Sequence, residues 1–95
     1  MTETAANRLK RLRMRAWRRG TKEMDLILGP WADTHLASLA PEALDRFETL
    51  LDENDQDLYA WVTGAEGATP PPAHAPLLAE IAAHARTRLS PDRAG

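Results

Sequence analysis

Apolar residues recur along this chain mainly at spacings of three and four, a period that dominates over any strand-like alternation. That rhythm belongs to helices buried along one stripe, so the chain reads as an all-α, single-domain bundle of about five short helices. Helix 1 runs from about Thr4 to Arg18, with Leu9, Leu12 and Ala16 on its stripe and arginines around the rest. Gly20 marks its end, because glycine takes the left-handed backbone that closes helices without a steric penalty. Helix 2 starts near Thr21 and places Met24, Ile27, Leu28 and Trp31 at i, i+3, i+4 and i+7. Gly29-Pro30 predicts a kink or a break before a continuation to about Leu36, since proline lacks the amide that the helix needs.

Helix 3 opens at Pro41, a residue suited to a first helical position, and turns Leu44, Phe47, Leu50 and Leu51 inward. Asn54 or Asp55 caps helix 4, whose Leu58, Tyr59, Trp61 and Val62 are expected to face inward before Gly64 stops it. Residues 65–76, AEGATPPPAHAP, hold too much proline and glycine for a helix and read as a linker. Helix 5 follows with Leu77, Leu78, Ile81, Ala82, Ala85 and Leu89 on one stripe. The domain occupies 1–95 with its core within about 5–89, and the tail 90–95 is expected to fray. Trp31, Phe47, Leu51, Leu58, Trp61 and Ile81 should meet in one core.

Charge changes this picture in one respect. Eight of the 12 Lys and Arg residues precede Glu23, where Glu3 is the single acid, so the first 22 residues carry +7 and the remainder −9. A basic first helix on an acidic body either associates with a charged partner or is held by attraction to that body. An Arg-rich start also resembles a mitochondrial transit peptide, but here the arginines run into the domain with no processing region between. The absence of cysteine rules out disulfides and fits a reducing compartment, the cytoplasm in a bacterium or the mitochondrial matrix in a eukaryote. No apolar run is long enough to span a membrane.

Candidate chemistry is sparse. His35, His74 and His84 lie far apart, and none has a companion at i+3 or i+4 that would start a zinc site. Asp52–Asp57, DENDQD, resembles the start of a calcium loop, yet Asp57 stands where its glycine belongs and Thr63 where its final glutamate belongs. No phosphate-binding loop, dinucleotide glycine pattern or nucleophile elbow is present, so no enzyme, metal or tightly bound cofactor is expected. DNA binding would fit the basic helix 1 but not a pI of 5.9. An antitoxin-like or other regulatory interaction module is the remaining alternative.

The unusual stretch is WRRGTKEMDLIL, Trp17 to Leu28. Locally, Gly20 ends one helix, Glu23 favours the N-terminal dipole of the next, and Arg19 is in reach of Glu23. At 100° per residue, however, Glu23, Leu26 and Pro30 share a flank of helix 2 away from its core stripe. Leu26 and Pro30 are therefore expected to be accessible and to form a docking stripe with Glu23, flanked by Arg19, unless helix 1 or helix 5 covers them.

RLRMRAWRRGTKEMDLILGPWAD followed by LLDENDQDLYAWVTG resembles the small FAD assembly factors of succinate dehydrogenase, whose hallmark is Arg-Gly-x-x-Glu. Here that motif is Arg19, Gly20 and Glu23; Asp25 matches the extended pattern, and Arg15 precedes it in the same basic stretch. The resemblance spans about Leu9 to Gly64. It implies a small helical bundle, monomeric when free, that binds the flavoprotein subunit of succinate dehydrogenase or fumarate reductase. It further implies that this promotes covalent attachment of FAD, a cofactor belonging to the partner, to a histidine of that subunit. The motif surface, with Arg19, Gly20 and Glu23, would be the contact region.

Overall fold

The structure, a computed structural model, describes residues 3–89, and of residues 88 and 89 the backbone alone. The expectations for the side chain of Leu89 and for the tail after it lie outside that description. Five helices follow one another: α1 (Ala5–Trp17), α2 (Lys22–His35), α3 (Pro41–Leu51), α4 (Asp55–Thr63) and α5 (Ala75–Leu89). A single 3-10 turn, Leu36–Ser38, extends α2, and no strand occurs among the described residues.

Short polar side chains start these helices. Thr4, Thr21 and Asn54 cap α1, α2 and α4 by accepting the backbone N–H of Asn7, Met24 and Asp57, so Asn54 and not Asp55 takes the cap of α4. Gly64 closes α4 in the left-handed conformation, with φ +71°. The linker is shorter than residues 65–76, because α5 begins at Ala75 after a turn in which His74 and Ala75 donate to the carbonyl of Pro71.

Helix α2 is central, packing along α1 on one side and against α5 and α4 on another. Its Trp31 is nearly inaccessible and stacks on Phe47 of α3 with ring centroids 5.3 Å apart. Leu12, Met24, Leu28, Leu58 and Ile81 complete the interior of the same cluster. Four residues expected inward differ, and of these Leu9 and Leu44 pack against the cluster only partly buried. Trp61 is half-buried at the edge of the cluster, and Tyr59 is exposed, because α4 is short and faces α2 and α5 along the narrower stripe of Leu58 and Val62.

The expected break at Gly29-Pro30 does not occur, and α2 runs through both residues. Gly29 is required by contact, not by flexibility: a Cβ added there would fall inside the indole ring of Trp17, which lies across α2 at that point. Trp17 is fixed in turn by its indole N–H, which donates to the carboxylate of Asp33. Pro30 is buried in the same region.

The basic face of α1 is largely met from within the molecule. Arg8 pairs with Asp45 and Glu48, Arg11 with Glu3 and Glu48, Arg13 with Asp33, and Arg15 with Asp52. The hydrogen bond from Arg11 holds the Glu48 carboxyl below its ordinary value of 4.5 against partial burial, and Arg8 adds to the effect. A depressed carboxylate pKa contributes stability that is present above the unfolded value and fades as pH falls through the folded one. Glu48→Gln should therefore lower the melting temperature slightly at neutral pH, since these pairs are half-exposed and screened. Melting curves recorded against pH should show the two proteins converging as the solution is taken below pH 4.5, the ordinary glutamate value.

Candidate functional site

The segment Arg18–Thr21 joins α1 to α2 through a sharp turn. Gly20 adopts φ +112°, a conformation strained for any side chain, and a Cβ there would touch a carboxylate oxygen of Asp55 at 3.6 Å. The turn is held from both sides. The backbone N–H of Arg19 donates to Oδ1 of Asp25 at 2.6 Å, which ties the turn to the first helical turn of α2.

Arg19 does not pair with Glu23. Its side chain is only 9% exposed and inserts into the turn between α3 and α4. There Nε donates to Oδ1 of Asp55 at 2.8 Å, Nη1 to the carbonyl of Leu51 at 2.6 Å and Nη2 to that of Glu53 at 2.6 Å. Arg15 reaches the same carbonyl of Leu51 and the side chain of Asp52. Buried guanidinium needs such partners for its donors, and a short acidic turn with open carbonyls supplies them. The acidic stretch Asp52–Asp57 thus serves as a socket for arginine. Among the described residues, no three His, Asp or Glu side chains converge as metal ligands.

Glu23 stands exposed in the first turn of α2, and Leu26, one turn further, is 38% exposed. Leu26 is thus not buried, although Ala82, Ala85 and Arg86 of α5 line the same groove. This groove, of about 680 Å³, runs between α2, α4 and α5, lined by Glu23, Leu26, Ile27, Tyr59, Val62, Thr63, Ala82, Ala85 and Arg86. A smaller hollow of about 240 Å³, formed by Thr21, Glu23, Asp55, Gln56 and Tyr59, adjoins it, and Glu23 and Tyr59 line both. The accessible surface therefore continues from the motif turn along the groove.

Of the seven residues expected at the site, Glu23 and Leu26 share this surface, while Pro30 does not. Helical angle describes one helix in isolation, and at Pro30 the surroundings of α2 are already packed. Gly20, Asp25, Arg15 and Arg19 surround the turn that carries Glu23. Tyr59, 45% exposed, lines the groove with Glu23 and Leu26, where Pro30 was expected to stand. Its spacing from Leu58 and Val62 suggests a core position, and only the side-by-side placement of α2 and α4 reveals its outward role.

Residues 10–85 match the family described as the flavinator of succinate dehydrogenase. The chain is 41% identical over 70 residues to the mitochondrial succinate dehydrogenase assembly factor 2 of Meyerozyma guilliermondii, covering 74% of this chain and 52% of that protein. It is 38% identical over 72 residues to the protein of the same name from Candida glabrata, covering 76% and 47%. It is 36% identical over 74 residues to the FAD assembly factor SdhE of Photobacterium profundum, covering 78% and 83%. It thus spans about half the length of those two yeast relatives and most of the bacterial one. With residues 10–85 matched and relatives from yeasts and a bacterium at 36–41% identity, the chain belongs to the family of flavinators of succinate dehydrogenase.

Proposed function

We propose that this chain is an assembly factor that binds the flavoprotein subunit of succinate dehydrogenase, or of the related fumarate reductase, and promotes covalent attachment of FAD to it. The observation that carries the reading is Glu23, exposed at the mouth of the groove in a chain of this family. Docking engages Glu23, Leu26 and Tyr59, while Arg15, Arg19, Gly20 and Asp25 shape the turn that presents them. Pro30 takes no part. The chain is a monomer when free.

No catalytic residue is assigned to this chain. Held by the flavoprotein, the flavin would supply the electrophile at its 8α-carbon, and a histidine of the flavoprotein would supply the nucleophile. The flavin would give up a methyl proton and take the two electrons onto its own ring, from which an external oxidant removes them. A docked factor accelerates such a reaction by holding the flavoprotein in the reactive geometry, an effect of orientation that needs no acid or base of its own. FAD is held by the partner, since the sequence has no dinucleotide fingerprint. Binding to nucleic acid is disfavoured because Arg8, Arg11, Arg13 and Arg15 already face carboxylates of the same chain. No described helix is long and apolar enough to cross a membrane. The factor acts where the flavoprotein folds, in the bacterial cytoplasm or, in a eukaryote, the mitochondrial matrix.

Deleting the gene and scoring flavin fluorescence of the flavoprotein subunit on a denaturing gel tests the proposal. Covalent flavin should fall to near background and return when the gene is restored. Unchanged fluorescence after deletion would sink the reading.

A further inference from the structure

The turn that presents Glu23 is fixed by a carboxylate 32 residues further along the chain, and nothing in the Arg-Gly-x-x-Glu pattern names it. Asp55 opens α4, and its two oxygens divide between two parts of the motif turn. Oδ1 accepts from Nε of Arg19 at 2.8 Å, and Oδ2 accepts from the hydroxyl of Thr21 at 3.4 Å and lies 3.6 Å from where a Cβ on Gly20 would stand. Its side chain is 14% exposed and Arg19's is 9%, so water competes weakly for either group. Tyr59, one turn along α4 from Asp55, lines the same small hollow as Asp55, Thr21 and Glu23.

These contacts give Asp55 a task distinct from core packing. Glu23 belongs to α2 and Tyr59 to α4, and the docking surface needs both at a set separation. The hydrophobic cluster packs these helices through Met24, Leu28 and Leu58, contacts that tolerate small slides because dispersion has no direction. Charge-assisted hydrogen bonds to a planar guanidinium do have direction, and they lock register where apolar contact leaves it loose. We infer that Asp55 is a positioning residue for the flavoprotein-binding surface: acting through Arg19 and Thr21, it sets the N-terminus of α2, and so Glu23, against Tyr59. This inference rests on the proposed docking to a flavoprotein.

The test uses the full chain and a purified flavoprotein loaded with FAD, titrating the factor and recording the rate of covalent flavinylation. Asp55→Ala should raise the half-saturating concentration of factor about tenfold, with the maximal rate nearly unchanged, because Asp55 does not touch the reacting groups. Asp55→Asn keeps an acceptor for Arg19 and should recover much of the loss. It also serves if the alanine variant folds poorly. In an Arg19→Ala background, Asp55→Ala should add little, as expected for two residues acting through one contact. If both Asp55 variants titrate like the wild type while Glu23→Ala shifts the curve, the inference is wrong and the docking proposal stands. If Glu23→Ala also leaves the curve unmoved, the docking proposal itself fails.

Discussion

Glu23→Ala is expected to remove most of the flavinylation activity while leaving helical content and melting temperature close to wild type. Glu23 is exposed, lies off the core stripe of α2 and forms no ion pair among the described residues, so the folded state has little to lose. Its one structural contribution is a favourable charge in the first turn of α2, where Asp25 remains to interact with the same dipole, a loss of about 0.3–1 kcal/mol at most. In the proposed complex the same carboxylate would be desolvated against the partner. Removing it there would leave a partner donor unpaired at a cost of about 2–5 kcal/mol, roughly thirtyfold to several thousandfold in affinity. Circular dichroism and melting establish the first half; covalent flavin on a denaturing gel establishes the second. Normal flavinylation by this variant would remove the case for the motif. Gly20→Arg is a poorer probe, because φ +112° makes any side chain there strained and confuses folding with docking.

Leu26→Asp carries the second large effect. A stable complex buries roughly 800 Å² on each partner, more than one glutamate turn provides, so neighbouring apolar surface must contribute. Leu26 and Tyr59 are the large apolar side chains left open along the groove that starts at Glu23. An aspartate at that place would bury an unpaired charge, weakening association by about 1–3 kcal/mol, roughly fivefold to a hundredfold in Kd. The fold should tolerate it, because Leu26 is already 38% exposed. Met14 provides the control: it is 42% exposed on α1 beside Lys10 and Arg18, away from the groove, and Met14→Asp should leave binding unchanged. Equal losses from both variants would point to net charge and not to a docking stripe. Binding measured by titration calorimetry, with melting temperatures alongside, separates these outcomes.

How much of this was legible in the sequence follows from the range of each force. Helix positions were, because capping by Thr4, Thr21 and Asn54, termination at Gly64 and the stripes of Met24, Leu28 and Trp31 depend on residues within a turn or two. The motif turn was legible too, since a glycine between two helices and an acid in the next first turn are local signals. Leu26 could be placed on the outer flank by angle alone, but angle is blind to neighbours. It therefore gave the same place to Pro30, which the packing of α2 buries, and an inward one to Tyr59, which a short α4 leaves outside. Charge behaved likewise: composition announced a basic first helix, yet the acids that meet it, Asp45, Glu48 and Asp52, lie more than 30 residues away. Arg19 shows the division best. The sequence by itself determined that an arginine, a glycine and a glutamate stand at a helix junction with helices of known rhythm on either side. Only the tertiary structure decided that this arginine turns inward to Asp55 and the carbonyls of Leu51 and Glu53, while the glutamate turns out beside Tyr59. The reason is that a guanidinium has five donors to satisfy, and the acceptors that satisfy them are gathered by the fold, not by neighbours in the chain.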